Sequence, residues 1–251
     1  EPANPIQISV IICAYNEAPR IDTVLRAATG HPALSEIIVV NDGSTDGSDA
    51  LMRDFLARRS IFNGIKVRYF YKNNEGKGMA LNHGIEQSEG DIIISIDGDC
   101  ALTPTTIENF VKPFADPKIY AAVGNVKIGK TDTIVETVQS LEFLFSFYFK
   151  KAESVLGAIY IIGGAAGAFR RKVFEILGPY DHSNITEDID LSVRVQKAGF
   201  GIVYVDDAIV YTEGAQKLLP LAKQRTRWRR GWFQTFANNP GMIFSAALKV
   251  V

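Results

Sequence analysis

Asp91-Ile92-Ile93-Ile94-Ser95-Ile96-Asp97-Gly98-Asp99 is an apolar run that ends in two carboxylates one residue apart. The run reads as a buried strand, which puts the pair where strand gives way to loop. Residues two apart in extended chain point to the same side, so both carboxylates face one small volume. Like charges held together are costly unless a positive group joins them. A divalent cation answers that need, and Mg²⁺ is commonly held by one or two carboxylates together with phosphates. An Asp-x-Asp after a hydrophobic run is a common pattern by itself, so the surrounding chain decides what it means.

Upstream, the chain alternates. Residues 8–13 form a near-continuous apolar run, as expected of a strand covered on both faces. The polar turn Tyr15-Asn16-Glu17 leads to a helix near 21–28, and 37–40 is the next strand. The loop Asn41-Asp42-Gly43-Ser44-Thr45-Asp46-Gly47 is followed by a helix to about Arg59, a strand over 67–71 and a helix over 77–88. With 91–96 as the fourth strand, this order predicts an α/β fold with a mostly parallel sheet and right-handed crossovers. Ligands of such sheets bind beyond the carboxyl ends of the strands. Tyr15 with Glu17, Asp42, and the Asp97/Asp99 pair all fall there. A dinucleotide fold fits poorly, because Ala14-Tyr15-Asn16-Glu17 follows the first strand where a Gly-x-Gly-x-x-Gly turn is needed, and no P-loop occurs.

The chain's 251 residues suit one large α/β domain or two small ones, and 47% hydrophobic with 22% charged residues is the profile of a full core. A net charge of -1 gives no global basic field for nucleic acid, although Lys223-Gln224-Arg225-Thr226-Arg227-Trp228-Arg229-Arg230 is a local basic run. Cys13 and Cys100 lack metal-ligand spacing and read as reduced core thiols, which fits a reducing compartment. No stretch of 18 apolar residues occurs, so no complete transmembrane helix is expected. Glu1-Pro2-Ala3-Asn4-Pro5 looks like a linker. The aromatic cluster in 141–149 and the apolar tail 242–248 read either as buried helix or as surfaces lying against a membrane.

The second half is less regular. Thr103 reads as an N-cap with Pro104 at the first helical position. Residues 121–126 read as a strand and 133–156 as a helix. Ile161-Ile162-Gly163-Gly164-Ala165-Ala166-Gly167-Ala168-Phe169 reads either as a tightly packed strand or turn, or as backbone on which a ligand lies closely. Thr186-Glu187-Asp188-Ile189-Asp190 opens an amphipathic stretch that ends at Gly199. Thr186 suits an N-cap and acids suit a first turn, but three acids in four residues after a loop also suit a general base facing a cleft. Gln224, Arg227 and Trp228 share one helix face, where Arg offers paired bonds to phosphate and Trp a flat apolar plate.

Asn41-Asp42-Gly43-Ser44, Asp97-x-Asp99, Thr186-Glu187-Asp188 and Gln224-x-x-Arg227-Trp228 stand in the order and approximate spacing of the family-2 glycosyltransferases. The set resembles their processive, membrane-embedded branch, the cellulose, chitin, hyaluronan and poly-N-acetylglucosamine synthases. The resemblance runs from about Ile8 to Trp228, with Asn41 standing where the family often has a second Asp. It implies a glycosyltransferase-A fold, Rossmann-like with flanking helices. The first 100 residues would be the nucleotide-binding half, 101–232 the acceptor and catalytic half, and 233–251 an apolar tail at a membrane interface. It implies a UDP-sugar donor, with Tyr15, Glu17 and Asp42 at the nucleoside. Asp97 would lie by the ribose and donor sugar, Asp99 on Mg²⁺ or Mn²⁺, Lys77 at the donor, and Gln224 and Arg227 at the diphosphate. Asp188 would be the base of an inverting transfer. Trp228 would stack on the acceptor polysaccharide, and Gly163 and Gly164 would line its side of the cleft.

The stretch from Gly163 to Arg171 resembles the poly-N-acetylglucosamine synthases, which implies N-acetylglucosamine as the sugar. The branch implies the cytoplasmic face of the cell membrane, with membrane segments outside this chain and no nucleic-acid partner. Two alternatives stand beside this reading: a transferase adding one sugar to a lipid or protein, and a nucleotide-sugar binding module without activity.

Overall fold

The structure, a computed structural model, describes residues 6–20, 25, 34–58, 61–62 and 64–240. The linker-like 1–5, the tail 242–248 and, apart from Leu25, the helix expected over 21–28 lie outside them.

Among the described residues, nine strands form one sheet. In chain order they are β1 (Ile8–Ala14), β2 (Leu34–Asp42), β3 (Ile61–Phe62), β4 (Ile65–Lys72), β5 (Ile92–Asp97), β6 (Ala101–Leu102), β7 (Ile119–Ile128), β8 (Ala166–Arg170) and β9 (Gly201–Thr212). Their order across the sheet is β3-β4-β2-β1-β5-β8-β7-β9-β6. The block β4-β2-β1-β5 is parallel, as the alternating sequence predicts. β8 runs antiparallel between β5 and β7 and joins the regular half to the irregular one. The helices are α1 (Ser48–Arg58), α2 (Lys77–Gln87), α3 (Thr106–Val111), α4 (Ile134–Val155), α5 (Arg171–Leu177), α6 (Glu187–Lys197) and α7 (Leu218–Asn238).

The apolar runs are buried on both faces of the sheet. Val10, Ile12, Ile94 and Ile96 pack into one core cluster with Phe110 and Phe114. Ile11 and Ile93 pack into a second with Leu81, Phe169 and Leu191. Each such side chain contributes ~1.5–3 kcal/mol by leaving water, which explains continuous rather than alternating hydrophobicity. Cys13 and Cys100 are free thiols, the first half-buried and the second buried, as read from the sequence.

Two details differ from the sequence reading. α3 starts at Thr106, not after Thr103. Thr103 to Thr106 form a turn in which Thr106 N–H donates to the Thr103 carbonyl at 3.1 Å, and the Thr106 hydroxyl, 2.8 Å from that of Thr103, donates to the Ile209 carbonyl at 2.6 Å. The bond to β9 fixes the start of the helix, and Pro104 sits in the turn. α7 also runs unbroken across residues 232 and 233, so the stretch expected as an apolar tail begins as helix.

α4 matches the expected helix, and its start has a local cause. The Thr133 hydroxyl accepts from the Glu136 N–H, and the Glu136 carboxylate accepts from the Thr133 N–H, a reciprocal cap. Its aromatic cluster is not buried. Phe145 is 65% exposed and Phe149 67%, while the polar Glu136 and Gln139 are inside. Gln139 bonds Ala215 in both directions, donating to its carbonyl at 2.8 Å and accepting from its N–H at 3.1 Å. Among the described residues, no helix is long and apolar enough to cross a membrane.

Candidate active site

The parallel register gathers the first acids. Cys13 pairs with Asp97, Ala14 with Asn41, and Asp42 with Lys72, so all lie at one end of the sheet. Gly98 explains the spacing of the acids around it. Its N–H donates to the Cys13 carbonyl at 2.9 Å, and a Cβ there would lie 3.0 Å from that oxygen and 3.1 Å from Glu17 Cγ. A side chain would push the loop after β1 away from the Asp97/Asp99 loop. The β1 loop is tied to the β2 loop as well. Asn16, in the left-handed region at φ 58°, accepts from Thr45 N–H, and Ser48 Oγ accepts from Glu17 N–H.

Asp42 is buried and its carboxylate is fully engaged. It pairs with Lys72 at 2.9 Å and accepts from the N–H groups of Glu75 at 3.1 Å and Gly76 at 2.9 Å. Gly76 is the N-cap of α2 and Lys77 its first residue. Asp42 therefore holds the loop that delivers Lys77, whose ammonium pairs with Asp97. Burial pulls the Lys77 ammonium down, but the Asp97 carboxylate outweighs it and holds the amine above its ordinary value. For Asp97, burial pushes the carboxyl up and Lys77 pulls it back.

Asp188 closes the other side. One oxygen accepts from the Gly164 N–H at 3.1 Å and the other from the Ile189 N–H at 2.9 Å. A Cβ on Gly164 would lie 2.9 Å from Lys77 Nζ and 3.6 Å from Asp188 Oδ2. Lys77, Asp97, Gly164 and Asp188 thus form one contiguous group. Ser192 secures the arrangement by donating to the Asp188 carbonyl at 2.6 Å and accepting from the Ile162 N–H at 2.8 Å.

The three acids of the α6 first turn divide by partner. Asp190 is committed to Arg194 at 2.8 Å, which also bonds the Leu177 and Pro179 carbonyls. Glu187 packs at Gly78, and burial, with Asp188 nearby, pushes its carboxyl up. Of the three, Asp188 is the one that accepts from the Gly164 N–H. Thr186 holds the N-cap position as expected, but its hydroxyl caps nothing. It is buried without a hydrogen-bond partner.

Asp99 carries a light load: a 3.3 Å bond from the Thr212 hydroxyl and a 3.5 Å contact from the Cys100 thiol, with no ion pair among the described residues. No group of three or more His, Cys, Asp or Glu suited to a metal occurs among those residues. A hard divalent cation with oxygen ligands still fits, since one or two carboxylates suffice when a diphosphate supplies the rest.

The α7 residues separate. Arg227 lines a cavity of about 570 Å³ with Ile185, Lys223 and Arg230, and its charge acts on Glu187. Gln224 accepts from Arg225 at 2.8 Å, and Arg225 pairs with Glu142 of α4 at 2.6 Å while standing 4.3 Å over the Trp228 ring. Tyr15 is half exposed at the β1 loop, and the space beside Gly163 is open. The sequence reading missed the Arg20 to Glu213 pair, whose bonds of 2.9 and 2.5 Å tie the β1 loop to the loop after β9, with Arg20 also on Glu17 at 2.7 Å. It also missed Thr212 and Ser192. None of these carries a local motif, and only a partner far along the chain reveals it.

Comparisons with known proteins bear on the fold and the family. A mannosyltransferase from Pyrobaculum calidifontis, solved with GDP-Man and Mn²⁺, superposes with a TM-score of 0.76 at 24% identity, over 95% of this chain and 65% of that one. Glucosyl-3-phosphoglycerate synthase from Mycobacterium tuberculosis, solved with Mn²⁺, UDP-Glc and glycerol 3-phosphate, gives 0.62 at 20% identity, over 92% and 79%. The fold is therefore the glycosyltransferase-A fold. Poly-beta-1,6-N-acetyl-D-glucosamine synthases of Staphylococcus epidermidis and Staphylococcus aureus (strain COL) are each 30% identical over 89% of this chain and 54% of their own length. The chain thus spans about half the length of these curated relatives. The family model for glycosyl transferase family 2 matches residues 9–178, from β1 to just past α5. With its carboxylates gathered at the strand ends of that fold, the chain belongs to glycosyl transferase family 2.

Proposed function

We propose that this chain catalyses the inverting, metal-dependent transfer of a sugar, N-acetylglucosamine, from a UDP-sugar to a growing β-linked polysaccharide. The observation that carries the reading is Asp188, held by the Gly164 N–H beside the Lys77–Asp97 pair. The synthases at 30% identity support the sugar and the polymer. The neighbours solved with Mn²⁺ support a divalent cation.

Asp188 takes the proton of the acceptor hydroxyl as its oxygen bonds to the anomeric carbon. The bond from that carbon to the diphosphate oxygen breaks, and its electron pair leaves with the diphosphate. A single displacement inverts the anomeric centre, so an α-linked donor yields a β-glycoside. Asp99 would hold Mg²⁺ or Mn²⁺, which supplies charge neutralisation to the departing diphosphate. Asp97, fixed by Lys77, lies by the ribose and donor sugar. Tyr15, Glu17 and the loop at Asp42 form the nucleoside end. Gln224 and Arg227 serve the diphosphate, Trp228 the acceptor sugar, and Gly163 opens the acceptor side. The reaction belongs at the cytoplasmic face of the membrane.

The test is transfer from UDP-N-acetylglucosamine by the parent and by Asp188→Asn. The variant should lose about 10²–10⁴-fold in turnover, the usual worth of a general base, and still bind UDP in calorimetry. Undiminished turnover would remove Asp188 from the role. A product carrying one added sugar would instead select the single-transfer alternative.

A further inference from the structure

We propose that Gly231 is a positioning residue for the transfer: its lack of a side chain lets α7 seat against Thr186 and so sets where Asp188 stands. The inference rests on the reading of Asp188 as the base.

The contact is unusually close. A Cβ on Gly231 would lie 2.2 Å from Thr186 Oγ1, 2.4 Å from its Cγ2 and 2.8 Å from its Cβ. Both Gly231 and Thr186 are buried. Nothing can yield cheaply there, because Thr186 is branched at Cβ and stiff, and it launches the helix that carries Asp188 two residues on.

The same stretch of α7 grips the Thr186 loop at further points. Gln234 Oε1 accepts from the Ile185 N–H at 3.2 Å, and Asn184 Nδ2 donates to Thr235 Oγ1 at 3.2 Å. Asn184 Oδ1 accepts from the Thr186 N–H at 3.2 Å. Below, Ile189 and Val193 of α6 pack on Trp232 and Phe236 of α7. The loop before Asp188 is thus seated on the turns of α7 that follow Arg227 and Trp228. Thr186 fills this seat with a hydroxyl that bonds nothing, so its contribution to the contact is shape. A methyl on Gly231 must move α6 or α7, and Asp188 has little slack: one of its oxygens is 3.1 Å from the Gly164 N–H.

The experiment is a size-swap cycle on the protein at its full natural length, using UDP-N-acetylglucosamine and the divalent cation. Gly231→Ala should lower kcat at least tenfold while the KM for the donor stays within about twofold, since a 1 Å misplacement can cost about 10²-fold. Thr186→Ala/Gly231→Ala returns part of the lost space and should recover at least half of the lost activity on a logarithmic scale, with Thr186→Ala closing the cycle. Parental kcat in Gly231→Ala overturns the proposal. So does a double variant that folds, by thermal melting, yet turns over no faster than Gly231→Ala. If Gly231→Ala fails to fold, the double variant decides: failure to fold or to turn over also overturns it. Asp188→Asn run beside them separates the two readings, because full activity there sinks the base assignment whatever the cycle shows.

Discussion

The two halves of the site are built by different means. On the sheet side, Asp42 and Asp97 stand at the ends of two parallel strands that flank β1, and the backbone register fixes their separation. On the helix side, Asp188 stands at the start of a helix whose place depends on contacts from elsewhere: Ser192 to Ile162, Gly164 to Asp188, Gln234 to Ile185. A ladder of hydrogen bonds positions its end residues whatever the loops do. A helix start seated by a few long-range contacts is only as well placed as those contacts.

That contrast can be broken or sharpened by substitution. The largest effect is expected at Asp99, whose carboxylate has only weak partners in the protein. Asp99→Ala should cut transfer by about 10³-fold, roughly 4 kcal/mol in barrier, with little change in melting temperature. Calorimetry of Mn²⁺ with UDP should lose its metal-dependent heat. An unchanged metal response would move the cation to another group.

Asp42 should behave in the opposite way. It is buried, paired with Lys72, and holds two backbone N–H groups of the loop before Lys77. Removing one partner of a buried pair costs about 3–5 kcal/mol, so Asp42→Ala should show as a stability loss in denaturant titration. A loss below about 1 kcal/mol would mean that this acid serves the ligand rather than the loop.

Glu187 tests the helix side through pH. Burial and the neighbouring Asp188 raise its carboxyl above the ordinary 4.5. A raised folded-state value favours the protonated native form. Its stabilising share is complete below about pH 4.5 and is lost as pH rises through the raised value. At neutral pH the ionised group is a cost. Glu187→Gln should therefore raise Tm by about 2–4 °C, the shift that ~1 kcal/mol gives in a chain of this size. The gain should shrink as the pH is lowered towards 4.5. A gain that persists in acid would assign the effect to packing.

The smallest effect belongs to Arg225, which joins α7 to α4 through Glu142 and lies over Trp228. Glu142 is half exposed, so Arg225→Ala should cost no more than about 1 kcal/mol by thermal melting. A loss above about 2 kcal/mol would show that the α4–α7 junction carries more of the fold than its exposure suggests.

The legibility of the chain follows the same division. The parallel core and its terminal acids could be read directly, because apolar runs of strand length between helical segments permit few arrangements. The role of Gly98 could not, since nothing in Asp-Gly-Asp says that the β1 loop presses on it. The burial of α4 was undetermined: its period fits a helix, but the structure turns Gln139 inward to Ala215 and leaves Phe145 and Phe149 at the surface. The cap at Thr103 failed because the turn it begins is fastened by Thr106 to β9, more than 100 residues on.

By itself, then, the sequence determined the four parallel strands of the first half, the acids at their ends and the family they mark. These follow from local hydrophobic pattern and from motifs short enough to lie on one element. Only the tertiary structure decided which of the three acids on α6 meets Gly164, what Asp42 holds, and how closely α7 approaches Thr186. Each of those depends on one atom meeting another from a distant part of the chain, and pairings between distant residues leave no local pattern to read.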